Sequence, residues 1–204
     1  MLFRSSRWFY TREQAGGGIL MDMGCHAIEV TRFVLGCPKA TAVYARMSNQ
    51  IHADSKLEDH ATLMVEFEGG VLAVLEPSWA VKGGMESHLN LFGTEGVLYA
   101  DLLRGTGLRM YSERGMAEDP GGSVHWSVQD PDWLWSNGYP QEMEHFLDCA
   151  RTGARPRVSG EDGLVELEIS YGAYESAATG KRVELPFRPA GIERAVDLWL
   201  KQRD

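Results

Sequence analysis

Residues 16–29 read GGGILMDMGCHAIE, and this stretch decides the fold because its three glycines open a predicted helix that carries ionisable side chains. Asp22 and His26 are four residues apart, so on a helix they lie on one face. An imidazole titrates near neutral pH, and a neighbouring carboxylate can orient it or a substrate hydroxyl. The stretch therefore presents His26 and Asp22 as a candidate proton-transfer pair.

A second interpretation is that this polar face, which continues to Glu29 one turn further on, simply lies in water. Another face of the same segment is apolar at the spacing of a buried stripe, formed by Leu20, Met23, Ala27, Val30 and Val34. The pattern predicts an α-helix over residues 19–35 that ends at Gly36, with Pro38 just beyond it.

Composition limits the classes of protein and partner. The chain has 204 residues, of which 44% are hydrophobic and 24% charged, as is usual for a globular protein with a sizeable core. Its formal net charge of −9 argues against a nucleic-acid or anionic-membrane surface. No apolar run approaches the ~18 residues that span a bilayer, and the N-terminus lacks a signal-peptide pattern. Three cysteines without metal-ligand spacing suit free thiols. We expect a soluble, cytoplasmic protein with no nucleic-acid or membrane partner.

A block of strand patterns follows the first helix. We predict strands at residues 40–48, 60–67, 71–79, 87–92, 96–102 and 108–112. Short turns join them, such as Gly69-Gly70, and short turns require antiparallel neighbours. Residues 71–75 are apolar without interruption, which predicts burial on both faces of the sheet. We therefore expect a second subunit to cover the face that the helices leave open.

Helical signals return after residues 113–137, which we predict to be a long loop. One helix starts near Pro140 and ends at Gly153, and a second has Ser159 as its N-cap and covers residues 161–179. A short amphipathic helix near Trp199 closes the chain. The order of elements predicts an α+β fold, with a mainly antiparallel open β-sheet and helices packed on one face.

The glycine-run helix resembles the signature GGG-x-x-x-D-x-G-x-H of the Gfo/Idh/MocA oxidoreductases, the family of glucose–fructose oxidoreductase and inositol dehydrogenase. Further resemblances follow in the family's order. They are Glu58-Asp59-His60-Ala61, Phe67-Glu68-Gly69-Gly70, Ser78-Trp79, Gly93-Thr94-Glu95-Gly96-Val97-Leu98, residues 155–163, and Tyr174-Glu175-Ser176-Ala177. Together these motifs cover residues 8–186.

The resemblance implies a two-domain NAD(P)-dependent oxidoreductase that acts on a sugar, cyclitol or related polyol. It implies that His26 is the catalytic acid/base, which removes the hydroxyl proton while hydride moves to the nicotinamide. Asp22 would be the substrate-orienting carboxylate.

This chain is similar only to the second domain of such enzymes, which resembles the C-terminal domain of dihydrodipicolinate reductase. No G-x-G-x-x-G lies between a strand and a helix, so we expect the Rossmann domain to be missing here, along with the family's E-K-P lysine. Residues 1–187 would form the substrate-binding and dimerisation domain, and residues 188–204 a C-terminal helical extension. NAD or NADP would bind the complete enzyme, and neither is expected to bind this chain alone.

Other candidate sites carry simpler alternatives. Trp8, Trp126 and Trp133 could stack on the C–H groups of a sugar, or they could pack a loop or a subunit contact. A divalent-metal site would have to be assembled from Asp22, His26, His52, Asp54, Asp59 and His60. These residues form neither H-E-x-x-H nor a compact cluster, so we predict no metal.

Two further functions remain as alternatives to the oxidoreductase. One is a stand-alone dimeric protein that binds a sugar or polyol without redox activity. The other is a metal-dependent sugar isomerase or hydrolase.

Overall fold

Antiparallel strand pairing organises most of the molecule. The computed structural model describes residues 7–81, 86–101, 107–112, 126–129 and 138–201. The chain packs into two units, the first formed by residues 1–82 with 158–204 and the second by residues 83–157. The predicted α+β class with mainly antiparallel strands is confirmed, but the strands form two sheets of four rather than one.

The first unit contains a sheet with the order β3-β2-β1-β8. The strands are β1 (Ala40–Ser48), β2 (His60–Phe67), β3 (Leu72–Leu75) and β8 (Val183–Glu184), and every neighbour is antiparallel. Side chains of β2 alternate between the core, with Leu63 and Val65 fully buried, and the outer face, with Met64 41% exposed. Gly69 and Gly70 have φ of 82° and 81°, which only glycine adopts readily, so they can turn β2 into β3.

Helical segments complete the described part of the first unit. They are α1 (Arg12–Ala15), a π-helical turn (Leu20–Gly24), α2 (Cys25–Val34), α4 (Gly160–Thr179) and α5 (Val196–Leu200). Helix α4 packs on β1, and Ile169 and Tyr174 are buried in the core. Ser159 is the N-cap of α4 and forms a capping box with Asp162, as the sequence predicts for this position.

The last helix belongs to the same core. Val196 and Trp199 of α5 are buried in it, 0% and 4% exposed. Residues 188–201 therefore pack with the first unit, and the predicted boundary at residue 187 stays a prediction.

The second unit contains a sheet with the order β4-β5-β6-β7, again antiparallel throughout. Its strands are β4 (His88–Gly93), β5 (Gly96–Asp101), β6 (Leu108–Ser112) and β7 (Trp126–Gln129), and its helix is α3 (Tyr139–Thr152). The prediction that residues 113–137 are all loop is wrong, because residues 126–129 pair with β6. Only four residues pair, so the strand pattern is too short to stand out among the surrounding Gly, Pro and Asp.

Two further predictions need correction. The segment over residues 19–35 is not one α-helix, since the π turn precedes α2. Residues 71–75 are not buried on both faces of the sheet. Leu72 and Val74 are 53% and 64% exposed, whereas Leu75 is buried in the core and Ala73 packs against it. Among the described residues, no helix is long and apolar enough to cross a membrane.

Replacing Gly18 with alanine is expected to destabilise the protein strongly. A Cβ at this position would overlap the backbone carbonyl oxygen of Glu58. That oxygen lies just before β2 and accepts the N–H of Ile19. The expected loss in free energy of unfolding is about 2 kcal/mol or more, measured by urea denaturation. Gly163→Ala is the matched control, because a Cβ there meets nothing within 4 Å. That substitution should be neutral or stabilise α4 by up to about 1 kcal/mol. Equal effects of the two substitutions would contradict the close packing at Gly18.

Candidate functional site

A buried carboxyl group anchors the segment that carries the candidate residues. Glu58, fully buried just before β2, accepts hydrogen bonds at its carboxylate from the N–H groups of Gly18 (3.0 Å) and Leu20 (3.1 Å). Its carbonyl oxygen accepts from the N–H of Ile19 at 3.0 Å. Three successive N–H groups at the start of the helical segment thus have partners on one residue. A carboxylate is electrostatically favoured at such a helix start.

The same carboxyl group is tied to helix α4. The Tyr174 hydroxyl donates to Glu58 Oε1 at 2.6 Å, and Tyr174 is itself fully buried. Burial raises the pKa of Glu58 to about 7, even though the donors on Tyr174, Leu20 and Gly18 favour the charged form. Burial and the neighbouring Glu58 raise the pKa of Tyr174 well above its ordinary value. The Tyr174 hydroxyl therefore keeps its proton at neutral pH and remains the donor to Glu58.

The glycine run allows this close approach. A Cβ on Gly17 would overlap the Tyr174 hydroxyl and the Met21 side chain, and a Cβ on Gly18 would overlap Glu58. The N–H groups at Gly18 and the two residues after it are already bonded to Glu58. A dinucleotide phosphate needs such groups free to donate, so the run does not fit a cofactor loop. We assign no cofactor-binding residue to the described part of the chain.

Asp22 lies within the π turn and is held by an aromatic residue from another segment. The indole Nε1–H of Trp79 donates to Asp22 Oδ2 at 2.9 Å. Trp79 follows β3, and its own backbone N–H donates to the Asp59 carbonyl at 2.8 Å. π-helical turns are frequent at functional sites because they re-aim side chains within a helix.

His26 lies in the first turn of α2 and is exposed to solvent. Within the described residues, no hydrogen bond joins its ring to Asp22, whose recorded side-chain partner is Trp79. The wider π turn lies between the two residues and alters the regular spacing on which the sequence pattern relied. The structure places them one turn apart on one segment, and their pairing stays a prediction.

Three rings lie together beside Asp22. The ring centroid of Tyr10 is 5.1 Å from that of His52 and 5.4 Å from that of Trp79, and the His52 and Trp79 centroids are 6.1 Å apart. We call Tyr10, His52 and Trp79 the aromatic cluster. The sequence pattern offered His52 only as part of a metal site that we predicted to be absent, and it offered no role for Tyr10. Ser78-Trp79 was visible as a family motif, but nothing in the spacing joined it to Asp22.

Asp59 shapes the loop that carries His52. Its carboxylate accepts the N–H groups of Gln50 (2.8 Å), Ile51 (2.6 Å) and His52 (2.9 Å). Burial opposes ionisation, but these three donors outweigh it and the pKa of Asp59 lies below its ordinary value. Glu58 and Asp59 therefore position the glycine run and the loop of residues 50–52, respectively.

Glu29 belongs to a charged network between α2 and α4. The buried Arg32 donates to the Glu29 carboxylate at 2.5 Å and to Asp162 Oδ1 at 3.1 Å. Burial and the nearby charge of Glu29 raise the pKa of Glu166, also on α4, to about 6. Arg32 thus ties α2 to α4 through Asp162, and Glu29 pairs with Arg32 rather than standing in water.

The remaining candidate residues are the three tryptophans predicted to contact a sugar. Trp8 is 44% exposed and stacks on Phe9 with 3.8 Å between ring centroids. The side chain of Trp126 and the whole of Trp133 lie outside the described residues. The assignment of these three tryptophans to substrate binding stays a prediction.

The described residues contain no group of three His, Cys, Asp or Glu side chains placed to hold a metal ion. Hollows of about 630 Å³ along α3 and about 310 Å³ lined by α2 and α4 residues include neither Asp22 nor His26. Residue chemistry rather than cavity size therefore identifies the candidate site.

Comparison with known proteins gives a consistent family. Residues 2–99 match the model of the GFO/IDH/MocA C-terminal domain. Myo-inositol 2-dehydrogenase from Thermotoga maritima is 27% identical over 177 residues, which are 84% of this chain and 50% of that enzyme. D-xylose 1-dehydrogenase (NADP(+)) 2 from Haloferax volcanii is 30% identical over 169 residues, which are 83% of this chain and 48% of that enzyme.

A solved structure gives the same result. GenD2 from gentamicin A biosynthesis, in complex with NAD, superposes with a TM-score of 0.72 at 31% identity, covering 89% of this chain and 52% of GenD2. This chain spans about half the length of the relatives that it matches.

The buried Glu58 carboxyl predicts an unusual pH dependence of stability. Its pKa rises on folding from 4.5 to about 7, so between these pH values the folded state binds more protons than the unfolded state. Its contribution is fully present below pH 4.5, and the free energy of unfolding falls by up to about 3 kcal/mol as pH rises to about 7. Urea denaturation across this pH window measures the slope.

Glu58→Gln should remove most of that slope, because the amide does not titrate. Glu166→Gln is the matched control and should remove a smaller part, since the pKa of Glu166 is raised only to about 6. A slope that persists in full in the Glu58→Gln protein would show that another group causes it.

Proposed function

Because this chain belongs to the GFO/IDH/MocA family through the C-terminal domain that it carries, we propose that it is the substrate-binding and dimerisation domain of an NAD(P)-dependent oxidoreductase. The proposed substrate is a sugar, a cyclitol or a related polyol, in keeping with the names of its relatives. The observation that carries the proposal is an exposed imidazole, His26, one turn after a carboxylate, Asp22, which Trp79 holds in place.

In the proposed reaction the substrate loses its hydroxyl hydrogen as a proton and the hydrogen on the same carbon as a hydride. His26 takes the proton of the hydroxyl group as general base, and Asp22 accepts a hydrogen bond from a substrate hydroxyl and so fixes its orientation. The nicotinamide ring supplies the acceptor for the hydride that leaves the same carbon. Oxidation needs a base because an alkoxide-like transition state forms poorly at neutral pH.

The dinucleotide itself is proposed to be held outside this chain. The N–H groups that follow Gly17 are bonded to Glu58 and are not free to receive its phosphates. This observation also favours a second candidate function, a dimeric sugar- or polyol-binding protein without redox activity. Tight binding of myo-inositol or D-xylose by this chain, without oxidation when a dinucleotide-binding domain is supplied, would favour the second candidate.

The outer face of the first sheet is the proposed dimer interface. Tyr44, Met64 and Val74 lie opposite one another in register on three neighbouring strands, and all are exposed, at 37%, 41% and 64%. Leu72, 53% exposed, lies on the same strand as Val74 and points to the same face. An apolar row across an open sheet favours a self-complementary contact with a second copy.

We also propose that the protein works in the cytoplasm. Its cysteines at positions 25, 37 and 149 are all free, and free thiols persist in a reducing compartment.

Removing the imidazole should abolish most of the activity. With this chain fused behind an N-terminal dinucleotide-binding domain of the family, His26→Ala should lower kcat for oxidation of the preferred polyol ~10²–10⁴-fold. Reduced nicotinamide is followed by its absorbance, and added imidazole should restore part of the rate. His88→Ala is the matched control, an exposed histidine on β4 that should leave the rate unchanged. An unaltered rate in His26→Ala would exclude this residue as the base.

A charge in the apolar row should separate the subunits. Val74→Glu places a carboxylate within the proposed interface, and sedimentation should show a shift from dimer to monomer at micromolar concentration. Val158→Glu changes another exposed valine, 46% exposed and away from this face, and should leave the dimer intact. A wild-type protein that sediments as a monomer would refute the interface.

A further inference from the structure

The position of Trp79 is set by the same short segment that anchors the helix start. Its backbone N–H donates to the Asp59 carbonyl at 2.8 Å, next to the Glu58 carbonyl that accepts from Ile19. Ser78 bridges to His60 at the start of β2. The backbone of Trp79 and the start of the π turn are therefore hydrogen-bonded to adjacent residues, Asp59 and Glu58. These bonds fix the distance between the indole and Asp22.

The hydrogen bond from Trp79 occupies one of the two carboxylate oxygens of Asp22. Trp79 Nε1–H donates to Oδ2, and among the described residues no donor is recorded for Oδ1. An indole N–H is a donor only, so it can bind the carboxylate but cannot replace it as acceptor. Hydrogen bonds to a charged group are the stronger kind and restrict its rotation. Oδ1 is the acceptor that remains for a ligand hydroxyl.

The aromatic cluster adds an apolar surface beside this acceptor. Tyr10, His52 and Trp79 are each half-buried, so part of every one of these residues is open to solvent. The Tyr10 ring meets the Trp79 ring edge-on, at 62°. A polyol presents C–H faces between its hydroxyl groups, and aromatic rings offer these faces a large, rigid apolar contact. The cluster and Asp22 together match the alternating polar and apolar character of such a ligand.

We propose that Trp79 is a positioning residue for the polyol site. Its indole N–H occupies Asp22 Oδ2 and so presents Oδ1 to a substrate hydroxyl, while its ring, with Tyr10 and His52, forms the apolar wall of the site. This inference rests on the proposed function, since it names the residues that select the substrate at the same site.

The first arm of the test needs no ligand. In a ¹⁵N spectrum of the chain, the Trp79 indole signal is identified by its loss in Trp79→Phe. Asp22→Asn replaces the charged acceptor of the indole N–H with a neutral amide, so this substitution should move the signal at constant pH. A signal that ignores the Asp22→Asn substitution would overturn the positioning role.

The second arm measures affinity with myo-inositol and D-xylose as probes, in the same spectra and without cofactor. Trp79→Phe keeps a ring and loses the donor, and should weaken binding roughly five- to tenfold. Phe92→Leu changes an exposed aromatic residue on β4 and should leave the affinity unchanged.

The outcomes separate the two proposals. Equal affinities of wild-type and Trp79→Phe proteins would overturn the role of Trp79 alone. If neither probe binds the wild-type chain, the polyol site itself is refuted, and the substrate role of Trp79 is refuted with it.

Discussion

The hydrogen bonds to Glu58 are the constraint on which the first unit depends. This residue has no exposed surface, yet it receives the hydroxyl of Tyr174 from α4 and the N–H groups that begin the π turn. Without the carboxyl, the N–H of Leu20 would be buried without this partner, at a cost of about 1–3 kcal/mol, and the N–H of Gly18 would keep only its longer bond to the Tyr174 hydroxyl, 3.3 Å. Because Gly17 and Gly18 have no Cβ, this segment can approach Tyr174 and Glu58 closely. The positions of the polar residues of the candidate site depend on these hydrogen bonds to Glu58.

Much of the fold follows from local pattern. Alternation in β2, the glycine pair at its turn, and the Ser159 capping signal place their elements correctly, because each depends on residues close in sequence. The π turn could not be placed that way. It begins where the N–H groups of residues 18 and 20 bind Glu58, a long-range contact that no periodicity within the helix records. Strand β7 was missed for a similar reason, since only its pairing with β6 distinguishes it from a loop.

The candidate site shows the same division. Spacing alone identified Asp22 and His26 as polar residues on one segment, and it indicated which chemistry they could perform. Spacing could not supply their partners. Trp79 is 57 residues from Asp22, and His52 reaches the aromatic cluster from a loop whose N–H groups are bound by Asp59. Two adjacent carboxylates before an apolar strand were the available signal, since charged residues are seldom fully buried without a structural role.

The rings of the aromatic cluster come from irregular segments, whereas Asp22 and His26 lie on a helical segment whose start is hydrogen-bonded to Glu58. Tyr10 comes from a short 3₁₀ turn, Arg7–Tyr10, and His52 from the loop after β1. Exchanging either ring alters no bond of Glu58. Under the proposed function, substrate preference would thus change through these rings while Asp22 and His26 keep their places. A single scaffold could in this way serve many different carbohydrates.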